Sequence, residues 1–262
     1  MRIRLLRGII GSALAVALAL AGSAVPARAS AADGVSDTVI TLVFTAYRIL
    51  GGAGLSDSDV EKLVRESVGA ITAVEDAVIE HIDGIEAANV VSDAVAIGRE
   101  MMDYERIREN EILLEIFAME LGRAAANAYA KYQRVSSRKA KDQIGLAAST
   151  IYPITLVVRR DAGAVNGLPA IEEEYLALNR LMVAELEPTC SQRIVQGTPE
   201  HITETRFECV AANGEQVIDF QVWDELHNTW LREPVDLAEL KERAAVNSAW
   251  QVAKEFLDGR NP

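Results

Sequence analysis

The chain is 262 residues long, half of its residues are hydrophobic, and its 39 acidic residues against 26 basic ones give a net charge of −13. This content is typical of a globular protein, so it excludes disorder or a collagen-like repeat as the main organisation. The acidic balance also argues against binding to nucleic acid, or to an anionic membrane through charge alone.

The beginning of the chain has the three-part pattern of a secretory signal peptide. Three arginines precede an apolar stretch over 8–25, and Ala27-Arg28-Ala29 provides a small-residue cleavage site. We predict that residues 1–29 are a signal peptide, cleaved after Ala29 or, in a second register, after Ala31. Four arginines leave with it, so the remaining 233 residues carry a net charge of −17. The alternative is an 18-residue membrane anchor that stays attached.

Export would place the protein in an oxidising compartment, and its Ala-rich leader is typical of bacterial signals. There, the even pair Cys190 and Cys209 is predicted to form one disulfide. Beyond the leader the sequence has no 18-residue uninterrupted apolar stretch, which predicts a secreted, soluble protein without a stable membrane span.

The first predicted helix begins near Ser36 and ends at the glycines over 51–54. A Ser/Asp cluster over 56–59 then has the composition of an N-cap, and apolar residues follow at helical spacing as far as 135. A single helix of that length would be too long for a compact domain. We therefore predict breaks at Asp83-Gly84 and in the polar run over 105–111, which give at least two helices, with three favoured.

Two further helices complete the predicted bundle over 30–187. One runs from Ser136-Ser137 towards Arg160, with a possible bend at Pro153. The other has Pro169 in its first turn and ends near Glu187-Pro188.

The hydrophobic period then changes from helical to two, which predicts an antiparallel β-meander over 188–222. Strands are expected over 192–196, 202–211 and 216–222, and Asn213-Gly214 is the signal for a type I′ hairpin turn. Positions 190 and 209 are equidistant from the first turn, so the disulfide fits a cross-strand pair.

The region 223–262 is predicted to be helical and to pack on the bundle. It comprises a short helical piece over 224–231 and an amphipathic helix over 236–257. The predicted fold class is therefore mainly α: a multi-helix bundle with long amphipathic helices plus a small, disulfide-stapled antiparallel β-meander near the C-terminus.

One weak candidate for a metal site lies in an acidic cluster around His81. On a continuous helix, Asp76, Glu80 and Asp83 would share one face and could hold a divalent ion. The alternative, which we favour, is an exposed acidic face that holds no ion, so we predict no metal and no cofactor.

A candidate binding patch is formed by Trp223 and Trp230, which are seven residues apart and could share a helix face. An exposed pair of this kind would bind a sugar or a protein partner. The alternative, which we favour, is that both residues close a core between sheet and helix.

The stretches 42–50 and 144–158 are apolar enough to suggest a membrane-active, pore-forming-like protein. Burial inside the bundle explains both with fewer assumptions. Glycines in the predicted helices indicate either close helix crossings or bends. They lie at Gly69, Gly84, Gly98, Gly122 and Gly145.

Motifs for catalysis are missing from the sequence: there is no H-E-x-x-H, no G-x-S-x-G and no phosphate-binding loop. A Ser–His–acid triad or paired carboxylates could still be assembled by the fold, so an extracellular hydrolase remains an alternative. We favour a non-catalytic extracellular module with a structural or interaction role, whose partner, if it has one, is a protein.

Overall fold

The computed structural model describes residues 34–52, 55–195 and 199–260, which form nine α-helices and one four-stranded sheet. The helices are α1 (Val35–Gly51), α2 (Asp57–Val78), α3 (Ile85–Met102), α4 (Tyr104–Arg108), α5 (Glu111–Arg134), α6 (Arg138–Asp161), α7 (Leu168–Leu186), α8 (Leu237–Ala244) and α9 (Ala249–Asp258). The strands are β1 (Thr189–Ile194), β2 (Ile202–Val210), β3 (Gln216–Asp224) and β4 (Thr229–Arg232). The predicted fold class is confirmed, whereas the predicted signal peptide lies outside the described residues.

Helix starts follow the capping signals in the sequence. The hydroxyl of Ser56 accepts a hydrogen bond from the backbone N–H of Asp59, whose carboxylate accepts one from the backbone N–H of Ser56, so both ends of a capping box are present. The hydroxyl of Ser137 caps α6 by accepting a hydrogen bond from the backbone N–H of Ala140, and the side chain of Asn110 caps α5. The predicted breaks near Gly84 and within 105–111 are both confirmed.

Helix α6 is the centre of the bundle. Every residue over 142–158 is buried, and the helix packs against α1, α2, α3, α5, α7 and α9. A helix that is apolar on all sides can be stable only when it is surrounded in this way. The helix continues through Pro153, so the apolar stretch 144–158 is explained by burial.

The contact of α6 with α7 and α9 depends on a glycine. A Cβ atom at Gly145 would lie 2.6 Å from Sδ of Met182 and 2.7 Å from Cβ of Ala249. Neither distance leaves room for a side chain, because the interior is already close-packed. At this position the predicted close helix crossing is confirmed.

The sheet has the strand order β1-β2-β3-β4, and α8 packs on one of its faces. A small core between them contains Phe207, Cys209, Leu240 and Ala244. The two helices of the predicted C-terminal region therefore pack on different parts of the protein. Helix α9 packs on α1, α6 and α7, as predicted for the whole region, whereas α8 packs on the sheet.

The predicted short helix over 224–231 is wrong, because this segment is a hairpin that adds β4 to the sheet. The carboxylate of Asp224 accepts hydrogen bonds from the backbone N–H groups of Leu226 and His227, at 2.9 and 3.2 Å. Asn228 then adopts a positive φ of 48°, which Asn tolerates better than most residues. The side-chain hydrogen bonds of Asp224 and the backbone conformation of Asn228 therefore form a turn at a place where the spacing of apolar residues predicted a helix.

The predicted type I′ turn at Asn213-Gly214 is also wrong. Such a turn requires a positive φ at Asn213, but in the described chain only Asn228 among non-glycine residues has one. Gly214 donates to the carbonyl of Ala211 at 3.1 Å and has a φ of 95°. The hairpin therefore has a β-turn over 211–214 that ends in a left-handed glycine, and its loop is longer than predicted.

The predicted single helix over 236–257 is interrupted at 245–248. The carboxamide of Asn247 accepts a hydrogen bond from the backbone N–H of Val35 at 3.1 Å and donates one to Glu215 at 2.8 Å. The backbone N–H of Ala249 donates to the carboxylate of Asp142 at 2.9 Å. The backbone N–H of Ala249 thus has a distant acceptor in place of the one that an unbroken helix would provide.

Candidate functional site

The predicted disulfide is present and joins β1 to β2. Cys190 and Cys209 are directly opposite in the register, with their Cα atoms 4.1 Å apart. Val195 donates to the carbonyl of Glu204 in the same register, so the cysteines occupy a non-hydrogen-bonded pair, the position at which facing strands come closest. The bond is a structural staple of the sheet.

Asp76 and Asp83 of the predicted metal site do not lie on one continuous helix. Helix α2 ends at Val78 and a 3₁₀ turn follows, so Asp83 does not continue the row that begins at the exposed Asp76. The carboxylate of Asp83 instead accepts a hydrogen bond from the hydroxyl of Ser137. The side chain of Glu80 lies outside the described part, and among the described side chains no group of three or more His, Cys, Asp and Glu could hold a metal ion.

The two tryptophans of the predicted binding patch do meet, although across a hairpin and not along a helix. Trp223 and Trp230 are paired across β3 and β4, with ring centroids 4.9 Å apart in an edge-to-face arrangement. The exposed fraction of Trp230 is 39%, whereas Trp223 is half-buried. The two rings therefore contact each other across the hairpin, and the ring of Trp230 is also partly exposed to solvent.

The stretch 42–50 in α1 is mostly buried, and Phe44 is its exposed apolar residue. Among the helices of the described residues, none combines the length and hydropathy needed to cross a membrane.

A surface groove between α3 and α5 has a composition that sequence reasoning did not single out. Both helices pack against α6 and leave between them an open groove of about 400 Å³. We call this the α3/α5 groove. Its lining residues are Asp93, Ala96, Ile97, Glu100, Phe117, Glu120, Arg123, Ala124 and Asn127.

The α3/α5 groove has a buried apolar floor and a charged rim. Ile97 and Phe117 lie in the floor and are nearly inaccessible. Polar contacts between the two helices connect them at one end. The side chain of Asn127 donates to Asp93 at 3.1 Å, and one turn further on Lys131 forms a salt bridge with Glu86 at 3.3 Å.

An exposed apolar row extends from the α3/α5 groove towards the N-terminus of α5. Leu113, Ile116 and Met119 each lie one helical turn before a lining residue, so they continue the rows of side chains that border the groove. We call these residues, with Ile112, the α5 face. The exposed fractions of its members are 69% for Ile112, 45% for Leu113, 42% for Ile116 and 51% for Met119.

The sequence contains a signal for the α5 face that is visible once the core is known. Eight of the ten residues over 112–121 are apolar, which is more than a helix buried on one side needs. The core takes Leu114, Phe117, Ala118 and Leu121. The remainder of that apolar set is therefore left on the surface.

Asp142 is a buried carboxyl group at the point where α6 meets the start of α9. One carboxylate oxygen accepts a hydrogen bond from the backbone N–H of Ala249, and the other has no hydrogen-bond partner among the described residues. Burial raises the pKa of the Asp142 carboxyl to about 7, and the negative charge of Glu215 adds to this effect while Arg138 opposes it. This group therefore titrates near neutral pH.

Comparison with protein-family models, with curated proteins and with solved structures gives no match for this chain.

Proposed function

We propose that the protein is a non-catalytic interaction module that acts outside the cell and binds a protein partner through the α3/α5 groove and the α5 face. The observation that carries the proposal is the continuity between the groove and the exposed Leu113, Ile116 and Met119. Contiguous apolar surface with a polar rim is typical of protein-binding sites on otherwise polar proteins.

The extracellular location is supported by the signal-peptide pattern of the sequence and by the disulfide. A cross-strand disulfide persists in oxidising compartments and is rare in the cytosol of most organisms. The high acidic charge then has a simple interpretation as solvation for a helical protein with an apolar binding face.

Replacing Ile116 and Met119 with glutamine is expected to abolish partner capture while leaving the fold intact. Both side chains are largely exposed and glutamine is a good helix former, so the bundle loses little stability. The purified protein and the variant are each immobilised and exposed to the culture fluid and surface extract of the producing cell. Mass spectrometry should identify a protein that the original chain retains and the I116Q/M119Q variant does not.

A matched control is the variant L226Q/L231Q, in which two leucines of the β3–β4 hairpin that are more exposed than Ile116 and Met119 are replaced. It should retain the same protein as the original chain. Loss of capture with this control alone would contradict the proposal and direct attention to the neighbouring Trp223 and Trp230. Leakage of dye from liposomes on addition of the purified protein would support the membrane-active alternative instead.

A further inference from the structure

The length of the proposed binding surface matches that of a short helix. From Leu113 to Asn127 the surface follows α5 for about 20 Å at 1.5 Å per residue, which is the length of a helix of about 14 residues. The opposite wall is supplied by α3, whose lining residues extend from Asp93 to Glu100. A groove between two helices that borders an exposed apolar row has a shape that can accept an amphipathic helix.

The rim of the α3/α5 groove is acidic, with three carboxylates against one guanidinium. Within the described residues none of Asp93, Glu100 and Glu120 forms a salt bridge. Arg123 is the one basic group of the lining. Three carboxylates beside an apolar floor complement a ligand that presents lysine or arginine next to apolar side chains.

We infer that the partner segment is a basic amphipathic helix that lays its apolar face on the exposed side chains of the α5 face and directs its cations at Glu100 and Glu120. This inference rests on the proposed function and specifies the chemistry of its partner. A second copy of this chain fits the surface poorly, because a net charge of −13 would bring like charges together at the rim.

The test uses a fluorescein-labelled peptide of leucine and lysine, about 15 residues long, with leucines at helical spacing. Fluorescence anisotropy should show saturable binding to the purified protein. A scrambled peptide of the same composition, and a peptide with glutamate in place of lysine, should bind much more weakly. The E100Q/E120Q variant should weaken binding of the ordered peptide about fivefold, as expected for the loss of two exposed ion pairs.

A matched control removes two exposed carboxylates far along the chain from the groove, in the variant E200Q/E233Q. It should bind the ordered peptide as tightly as the original chain does. Equal weakening by both variants, or equal binding of the scrambled peptide, would overturn the inference because attraction by net charge alone would then explain the binding. If the ordered peptide fails to bind while I116Q/M119Q still loses its captured protein, the basic-helix inference falls and the proposed function stands.

Discussion

Replacing Asp142 with asparagine is expected to make the protein more stable at pH 8 and to remove a large part of the pH dependence of its stability between pH 4 and pH 7. The Asp142 carboxyl has a pKa of about 7 when folded, against an ordinary value of 3.8, because it is buried with one oxygen unpartnered. Between these values the folded state holds a proton that the unfolded state has lost. The contribution of this group to the free energy of unfolding is therefore fully present below about pH 4. It declines as the pH rises from there and is lost once the pH has passed through 7.

The size of the effect follows from the pKa difference. Each pKa unit corresponds to about 1.4 kcal/mol, so the shift to about 7 amounts to about 4 kcal/mol. Asparagine keeps the oxygen that accepts from Ala249 and cannot ionise, so D142N should gain about this amount over the original chain at pH 8 and little at pH 4. Urea unfolding at a series of pH values measures the difference.

The control for this measurement is D76N, which removes an exposed carboxylate from α2. Its stability should follow that of the original chain over the whole pH range. Curves for D142N and the original chain that run parallel from pH 4 to pH 8 would show that Asp142 is ionised in the folded protein at all these pH values, contrary to the prediction.

Removing the disulfide with C190A/C209A is expected to lower the free energy of unfolding by about 3 kcal/mol, because the bond closes a loop that spans 19 positions. The loss should be concentrated in the sheet and α8, whose shared core contains Cys209 but few other large side chains. Hydrogen exchange should therefore quicken more in β2 and β3 than in α6.

The state of the cysteines can be checked directly. Thiol labelling of the denatured, unreduced protein should find no free cysteine, and labelling after reduction should find two. Labelled thiol before reduction, or a C190A/C209A variant with unchanged hydrogen exchange in β2, would be incompatible with a stabilising staple.

Much of the helical framework could be predicted because its signals are local. Ser56 and Ser137 cap helices through contacts with residues only three positions away. The register of β1 and β2 was equally accessible, since the position of the turn fixes which residues lie opposite each other.

The elements that could not be predicted depend on contacts between distant residues or on ambiguous spacing. The interruption between α8 and α9 is stabilised by Asn247 and Asp142 through hydrogen bonds to groups more than thirty residues away. Trp223 and Trp230 are seven residues apart, a spacing that fits one helix face as well as two facing positions of a hairpin.

The α3/α5 groove escaped sequence reasoning for a different reason. Ile116 and Met119 have the same helical spacing as residues of the core, and only the packing of α5 on α6 decides which apolar residues are left outside. Surface and core apolar residues have the same appearance in a single sequence, so a binding face next to the core face is recognised only once the fold is known.

The most direct test of the proposed interaction is photo-crosslinking in the cell that makes the protein. A benzophenone amino acid replaces Met119 on the α5 face or, as a control, Leu226 in the β3–β4 turn, which is more exposed than Met119. We predict a discrete adduct with one partner protein from position 119 and none from position 226. The same set of adducts at both positions, or an adduct from position 226 alone, would contradict binding through the α3/α5 groove.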